Sequence, residues 1–206
     1  MPRPRRIRLE RTAAWIGVLL TFSASSATPD KDAAALLDDR LARGETVLEF
    51  QKVDGYPQSA VLLSVMLEAP PEQVFALVDG CNGYAGLMPR TLSSVEVSRV
   101  GDSSVCRWVV DVPFPMKNLS TEVAATSRHT PGLWTREFKQ TRGDFRRNEG
   151  LWTLTPFRGD PRRTRLEYRL FVAVDAIFPD AFVKLGQRGG MTDMVQSLRA
   201  RLRSGH

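Results

Sequence analysis

Few side chains in this sequence are suited to moving a proton or attacking a bond at neutral pH. His129 is the one histidine inside the body of the chain, the other being the terminal His206. It lies in His129-Thr130-Pro131-Gly132, which reads as a hairpin turn, and a turn histidine is a solvated one. Asp111, Glu137 and Glu149 fall in stretches with strand alternation and are the acids that could face an interior. Asp111 alternates with Val109 and Arg107, which assigns it to the outer face. Acid–base catalysis needs a group held in a pocket within hydrogen-bond reach of the reacting atom. The spacings of a nucleophile elbow, a zinc helix, a phosphate loop and a dinucleotide turn are all missing. Cys81 and Cys106, the only cysteines, are too few for a thiolate metal site. From these residues no catalytic group, metal or cofactor is assigned.

The two cysteines take their meaning from the compartment. In an oxidising one a Cys81–Cys106 disulfide is allowed; otherwise they are two small apolar residues. The first residues argue for export. Arg3, Arg5, Arg6, Arg8 and Arg11 precede an uncharged run from Ala13 to Phe22, followed by the small residues of Ser23–Thr28. Basic, apolar, small is the order of a secretory signal peptide, with cleavage expected after Ala27. Ten helical residues span about 15 Å, half of a ~30 Å hydrocarbon core, too short for a permanent anchor.

That leader also carries most of the charge. The whole chain of 206 residues has 29 basic and 23 acidic side chains, a formal charge of +6 and a pI near 9.8. Five of the basic residues and one acidic residue precede residue 28, so the mature chain keeps 24 against 22, or +2. The case for a nucleic-acid partner goes with the leader.

The elements that must position any site follow from periodicity. Residues 28–45 form an N-terminal helical extension, Ala- and Leu-rich over Asp30–Arg43 and stopped at Gly44. Strands are expected at 46–53 and 59–67 around Asp54-Gly55, then a short helix over 72–79 with Pro71 in its first turn. Period-two alternation predicts six more strands, at 92–100, 103–112, 118–128, 133–140, 147–156 and 164–175. Their short connections imply an antiparallel meander. Pro179–Arg203 reads as a long helix with Phe182, Leu185, Met194, Val195, Leu198 and Leu202 on one face. The fold class is therefore α+β, a curved antiparallel sheet closed over the last helix.

Alternation also selects the inward wall. Cys106, Trp108, Val110 and Val112 share one strand face. Gly150, Trp152 and Leu154 share another, and Leu166, Tyr168, Leu170, Val172 and Val174 a third. The last helix adds Met191, Met194 and Leu198, together with Gly186, Gly189 and Gly190. Helical glycines cost about 0.5–1 kcal/mol each, so three predict close approach or a kink. Such a wall is either a plain core or the lining of a pocket for an apolar ligand.

The sequence resembles the START-like (SRPBCC) superfamily, nearest its polyketide cyclase/dehydrase and coenzyme Q-binding START group. The resemblance is carried by Ala69-Pro70-Pro71-Glu72-Gln73-Val74-Phe75-Ala76-Leu77-Val78-Asp79, then Tyr84 and Leu87-Met88-Pro89. Gly150-Leu151-Trp152-Thr153-Leu154-Thr155-Pro156, Thr164-Arg165-Leu166-Glu167-Tyr168 and Phe178-Pro179 extend it. Val112–Asn118 is similar to a START segment, with Asn118-Leu119 where that family has Arg-Asp. The resemblance implies a helix-grip fold over residues 46–206 and an internal cavity. It points to a hydrophobic small molecule or lipid, such as a quinone, isoprenoid, fatty or polyketide-like compound, bound without catalysis. The expected lining is Cys106, Trp108, Val110, Trp152, Leu154, Tyr168, Leu170, Met191, Met194 and Leu198. Two alternatives stay open: an aromatase/cyclase-like enzyme acting on a polyketide chain, and an envelope interaction domain with a filled cavity.

Arg142, Arg146 and Arg147 with Arg158, Arg162, Arg163 and Arg165 load two loops with positive charge, read as neighbours forming one basic rim. Such a rim is suited to weak contact with an anionic membrane surface. The Arg-Gly-Asp triplets at 142–144 and 158–160 are turn chemistry, and Asn118-Leu119-Ser120 is a short glycosylation-type match of little weight.

Overall fold

A curved sheet of eight antiparallel strands, ordered β1-β2-β8-β7-β6-β5-β4-β3, supplies the frame. The computed structural model describes residues 31–112, 117–174 and 180–205, and of Phe182 only the backbone. The strands are β1 (Thr46–Lys52), β2 (Ser59–Leu67), β3 (Thr91–Val100) and β4 (Ser103–Val110). They continue as β5 (Leu119–Thr130), β6 (Leu133–Gly143), β7 (Arg147–Phe157) and β8 (Asp160–Ala173). Consecutive pairing from β3 to β8 is the meander, and β2 then closes on β8, with Leu63 opposite Tyr168. The helices are α1 (Lys31–Ala42), α2 (Pro71–Asp79) and α3 (Asp180–Ser204). A 3-10 turn over Cys81–Gly86 follows α2 and was not foreseen.

Gly44 and Gly55 stop α1 and turn β1 into β2 with φ of 82° and 78°, a region glycine enters without a Cβ penalty. Pro71 opens α2, where its missing N–H costs nothing. The expected leader over 1–27, the Asp30 cap, Pro113–Met116 and Phe178-Pro179 lie outside the described residues.

The two faces of the sheet are covered differently. The concave face carries Val61, Leu63, Val65, Trp108, Phe138, Trp152, Leu166 and Tyr168. It packs against Val74 and Val78 of α2 and Met191, Met194, Val195 and Leu198 of α3. The convex face takes α1, whose Leu41 joins Val47, Met66 and Phe157 in a separate small cluster. Arg165 Nη1 donates to Asp38 Oδ1 at 2.9 Å and Arg158 pairs with Asp39, fastening that helix from the β7–β8 hairpin.

Three sequence expectations change here. Leu185 does not join the inward stripe of α3: it is 68% exposed, because two and a half helical turns separate it from Met194 and set it on the opposite side of the helix. Gly186 and Gly189 face open space, with no atom within 4 Å of a built Cβ, so neither marks a close approach. Val172 and Val174 fall outside the concave cluster. At that end of β8 the buried residues are Phe171 and Ala173 on the opposite face, where the Tyr56 ring stands edge-on to Phe171 at 5.1 Å.

Gly150 does mark a close approach. A Cβ there would meet the Phe138 ring at 2.6 and 2.7 Å and the Arg169 carbonyl oxygen at 3.0 Å. Phe138 is itself held edge-on to Trp108, with centroids 5.7 Å apart. Gly150→Ala is expected to destabilise the fold by about 1–3 kcal/mol through overpacking, read as a lower denaturant midpoint at unchanged slope.

Candidate functional site

The ten side chains expected to line a site come together on the concave face. Cys106, Trp108, Trp152, Leu154, Tyr168, Met191, Met194 and Leu198 are buried in one cluster, and Val110 and Leu170 pack against its edge. Register explains the strand contributions. Trp152 pairs with Tyr168 across β7 and β8, so their side chains share a face and stack at 3.7 Å with planes 9° apart. Tyr84, from the 3-10 turn, reaches Trp108 at 5.8 Å. On this face α2 packs against β6, β7 and β8 and α3 against β1 and β2, and the buried stripe of α3 is Met191, Met194, Val195 and Leu198.

One end of this face is polar, and sequence reasoning missed it. Arg136 on β6 is only 1% exposed. Its Nη1 donates to Asp79 Oδ1 and to Ser127 Oγ, both at 3.0 Å. Its Nη2 donates to Ser104 Oγ at 3.0 Å and to the sulfurs of Cys81 and Cys106 at 3.2 and 3.4 Å. Those sulfurs are joined as a disulfide between Cα atoms 6.0 Å apart. Ser127 Oγ also bonds Asp79. The second oxygen of Asp79 accepts from Arg99 Nη1 at 2.9 Å, so the carboxylate lies between two guanidinium groups. The signal was present in the alternation Trp134-x-Arg136-x-Phe138, which turns Arg136 to the same face as two aromatic rings.

At the other end of the face Thr121, Gln140 and Asn148 bond one another, and two phenols and an indole add proton donors between the ends. Tyr84 donates its hydroxyl to the Val78 carbonyl at 2.7 Å, and burial pushes its pKa up against the lowering effect of Arg136. Burial drives the Tyr168 phenol well above its ordinary value, so both rings keep their protons at neutral pH. Trp152 Nε1 is buried beside the Tyr84 hydroxyl without a well-formed hydrogen bond. Neutral phenols and an indole N–H can hold a carbonyl or hydroxyl oxygen; none of them is a base.

The acids with strand positions lie elsewhere. Asp111 pairs with Arg90 at 2.7 Å and Glu149 with Arg147 at 2.7 Å, while Glu137 is exposed. His129 lies at the end of β5 and not in the turn beyond it; it is exposed and stacks on Trp134 at 4.7 Å. Among the described residues, no group of His, Cys, Asp and Glu is placed to hold a metal ion.

The arginine loops do not form one rim. The 144–146 and 158–159 turns close opposite ends of β7, an 11-residue strand roughly 35 Å long. Most of their cations are engaged: Arg162 and Arg163 hold the Asp160 carboxyl down to about 2, and Arg165 pairs with Asp38 and Glu167. Arg146 has no such ion pair among the described residues and lies over the Tyr56 ring at 5.9 Å. With Lys139, Gln140, Arg147 and Asn148 it lines a surface hollow of about 410 Å³.

Comparison with known proteins agrees with this architecture. Residues 67–199 match the model of the family described as polyketide cyclase / dehydrase and lipid transport. A STAR-related lipid transfer protein from Xanthomonas axonopodis superposes with a TM-score of 0.65 at 17% identity, over 77% of this chain and 98% of that one. Human StAR-related lipid transfer protein 5 gives 0.64 at 11%, over 86% and 100%. The Zhui aromatase/cyclase from Streptomyces sp. R1128 gives 0.56 at 17%, over 71% and 95%. At these identities the structures establish the helix-grip fold alone. No curated protein matches the sequence.

Removing Asp79 would leave the buried Arg136 charge facing sulfur and hydroxyl groups only. Asp79→Ala is expected to cost about 3 kcal/mol, the lower end for a broken buried pair, because its side chain is 26% exposed. Equilibrium unfolding in urea measures this. A change within 0.5 kcal/mol would be the size of an ordinary surface substitution and would show that Arg136 is satisfied without its carboxylate.

Proposed function

The chain belongs to the polyketide cyclase / dehydrase and lipid transport family, and on that basis we propose that it binds a hydrophobic small molecule or lipid between its sheet and α3, without transforming it. The carrying observation is the chemistry of the concave face. Its wall is apolar from β2 to β4 and along α3, and the buried cation has both terminal nitrogens committed to Asp79, two serines and the disulfide. Proposed contacts are Cys106, Trp108, Val110, Trp152, Leu154, Tyr168, Leu170, Met191, Met194 and Leu198. Hiding about 300 Å² of apolar ligand would contribute roughly 7 kcal/mol before ordering costs. A quinone, isoprenoid, fatty or polyketide-like chain offers that area.

One observation favours a second reading, a cyclase-like enzyme acting on a polyketide chain. Tyr168 and Trp152 bring protonated donors into an apolar interior, where they would polarise a carbonyl, while the Tyr84 proton is held by Val78. The lack of a base beside them ranks this reading below carriage.

The protein is also proposed to act outside the cytoplasm. The basic–apolar–small order of residues 1–27 supports a leader, and the joined Cys81 and Cys106 suit an oxidising compartment. Contact with anionic membrane, if made through arginine, is assigned to the end of the sheet that carries Arg146, Arg147 and Lys139.

Native mass spectrometry of protein purified from its own host, followed by solvent extraction, tests this account. The expected chain begins at Thr28, is two hydrogens lighter than the dithiol form, and carries the same apolar compound in repeated preparations. A carried compound whose rings have been closed by the protein would move the assignment to the cyclase. Repeated recovery of a chain without any apolar compound would contradict carriage.

A further inference from the structure

Gln187, a half-buried residue, stands two turns into α3 and one turn before Met191, at the helical spacing that lines it up with the buried Met191, Met194, Val195 and Leu198. Both its amide atoms, Oε1 and Nε2, are shut off from solvent, and neither has a hydrogen-bond partner among the described residues. The cations next to it on the helix are turned elsewhere. Lys184 pairs with Asp180 at 2.6 Å, and Lys184 and Arg188 lie 5.6 and 5.2 Å from the centre of the Phe50 ring on β1.

Among the described residues Trp152 Nε1 and Gln58 Oε1 are also buried without a partner, but Gln187 is the one amide with both its atoms unpaired. The same fold supplies five partners to the Arg136 guanidinium and one to the Tyr84 hydroxyl. Buried amides left unpaired are costly, and Leu or Met at this stripe position would carry no such cost. A bound group that offers both a donor and an acceptor would complete the hydrogen bonding of this glutamine.

We propose that the Gln187 side chain is the recognition point for the polar head of the ligand, and that this head is a neutral group able both to donate and to accept, such as a hydroxyl or primary amide on an apolar chain. The inference rests on the reading of the sheet–α3 interior as a ligand site. It separates the ligand classes that reading allows. A pure hydrocarbon leaves both amide atoms unpaired, and a quinone carbonyl satisfies only Nε2. An ionised head is disfavoured, because the interior is dry enough to raise the Tyr168 phenol well above its ordinary value.

The test uses the full chain and three probes of equal length, 1-decanol, decanamide and decane, each displacing Nile red. Wild type is expected to bind 1-decanol and decanamide about tenfold more tightly than decane. Q187L, or Q187M as a replacement closer in shape, is expected to lose that preference, bind decane at least as well, and melt no lower than wild type without ligand. Equal affinity of wild type for the three probes would overturn the inference while leaving lipid binding in place. So would a Q187L that keeps the preference. If wild type binds none of the three, the lipid-binding reading falls and takes this inference with it.

Discussion

Everything on the concave face is arranged around the burial of Arg136. A guanidinium cannot leave water unless its charge is balanced and its N–H groups are occupied. Here Asp79 supplies the charge, Ser127 and Ser104 the oxygens, and the two sulfurs close the remaining directions. These partners come from the end of α2, from the 3-10 turn and from β4 and β5, so one side chain on β6 fixes where five pieces of chain meet. Arg99 holds Asp79 from the far side and Arg201 of α3 donates to Gly83 in the turn at 3.3 Å. The disulfide ties the same turn covalently to β4.

With that corner anchored, the concave face is apolar up to a second polar group, Thr121, Gln140 and Asn148, at its other end. β2 is buried on both faces along almost its whole length, with α1 behind it and α3 in front. From Trp108 to Trp152 and Tyr168 the wall is aromatic and carries its polar atoms at ring edges. The low polarity that makes the face a good host for a greasy molecule also keeps its phenols protonated. The proposed binding and the protonated phenols thus draw on one environment.

The sheet was legible because its strands obey a period of two and end at Gly and Pro signals. Ser59–Leu67 shows this well, since an apolar run closed by Pro70-Pro71 admits few other assignments. The ten expected lining residues share a face because alternation is geometry. What failed needed tertiary knowledge. Leu185 is the exception: two and a half helical turns separate it from Met194, so spacing alone sets the two on opposite sides of α3. Val172 and Val174 continue the alternation of Tyr168, but Tyr56 covers the other face at that point. The two arginine loops are close in sequence and a full strand apart in space. Arg136 was overlooked because a charged residue in a strand is ordinarily an outward one.

The central claim is that the space between the sheet and α3 receives the ligand. Methionine methyl NMR of the 13C-labelled protein, titrated with 1-decanol, addresses it directly. Met191 and Met194 lie on the inward stripe of α3, whereas Met66 sits on the convex side under α1. Saturable shifts of Met191 and Met194 with an unmoved Met66 are the predicted result. Saturable shifts of Met66 while Met191 and Met194 stay fixed would place the ligand on the outside of the sheet and contradict the account.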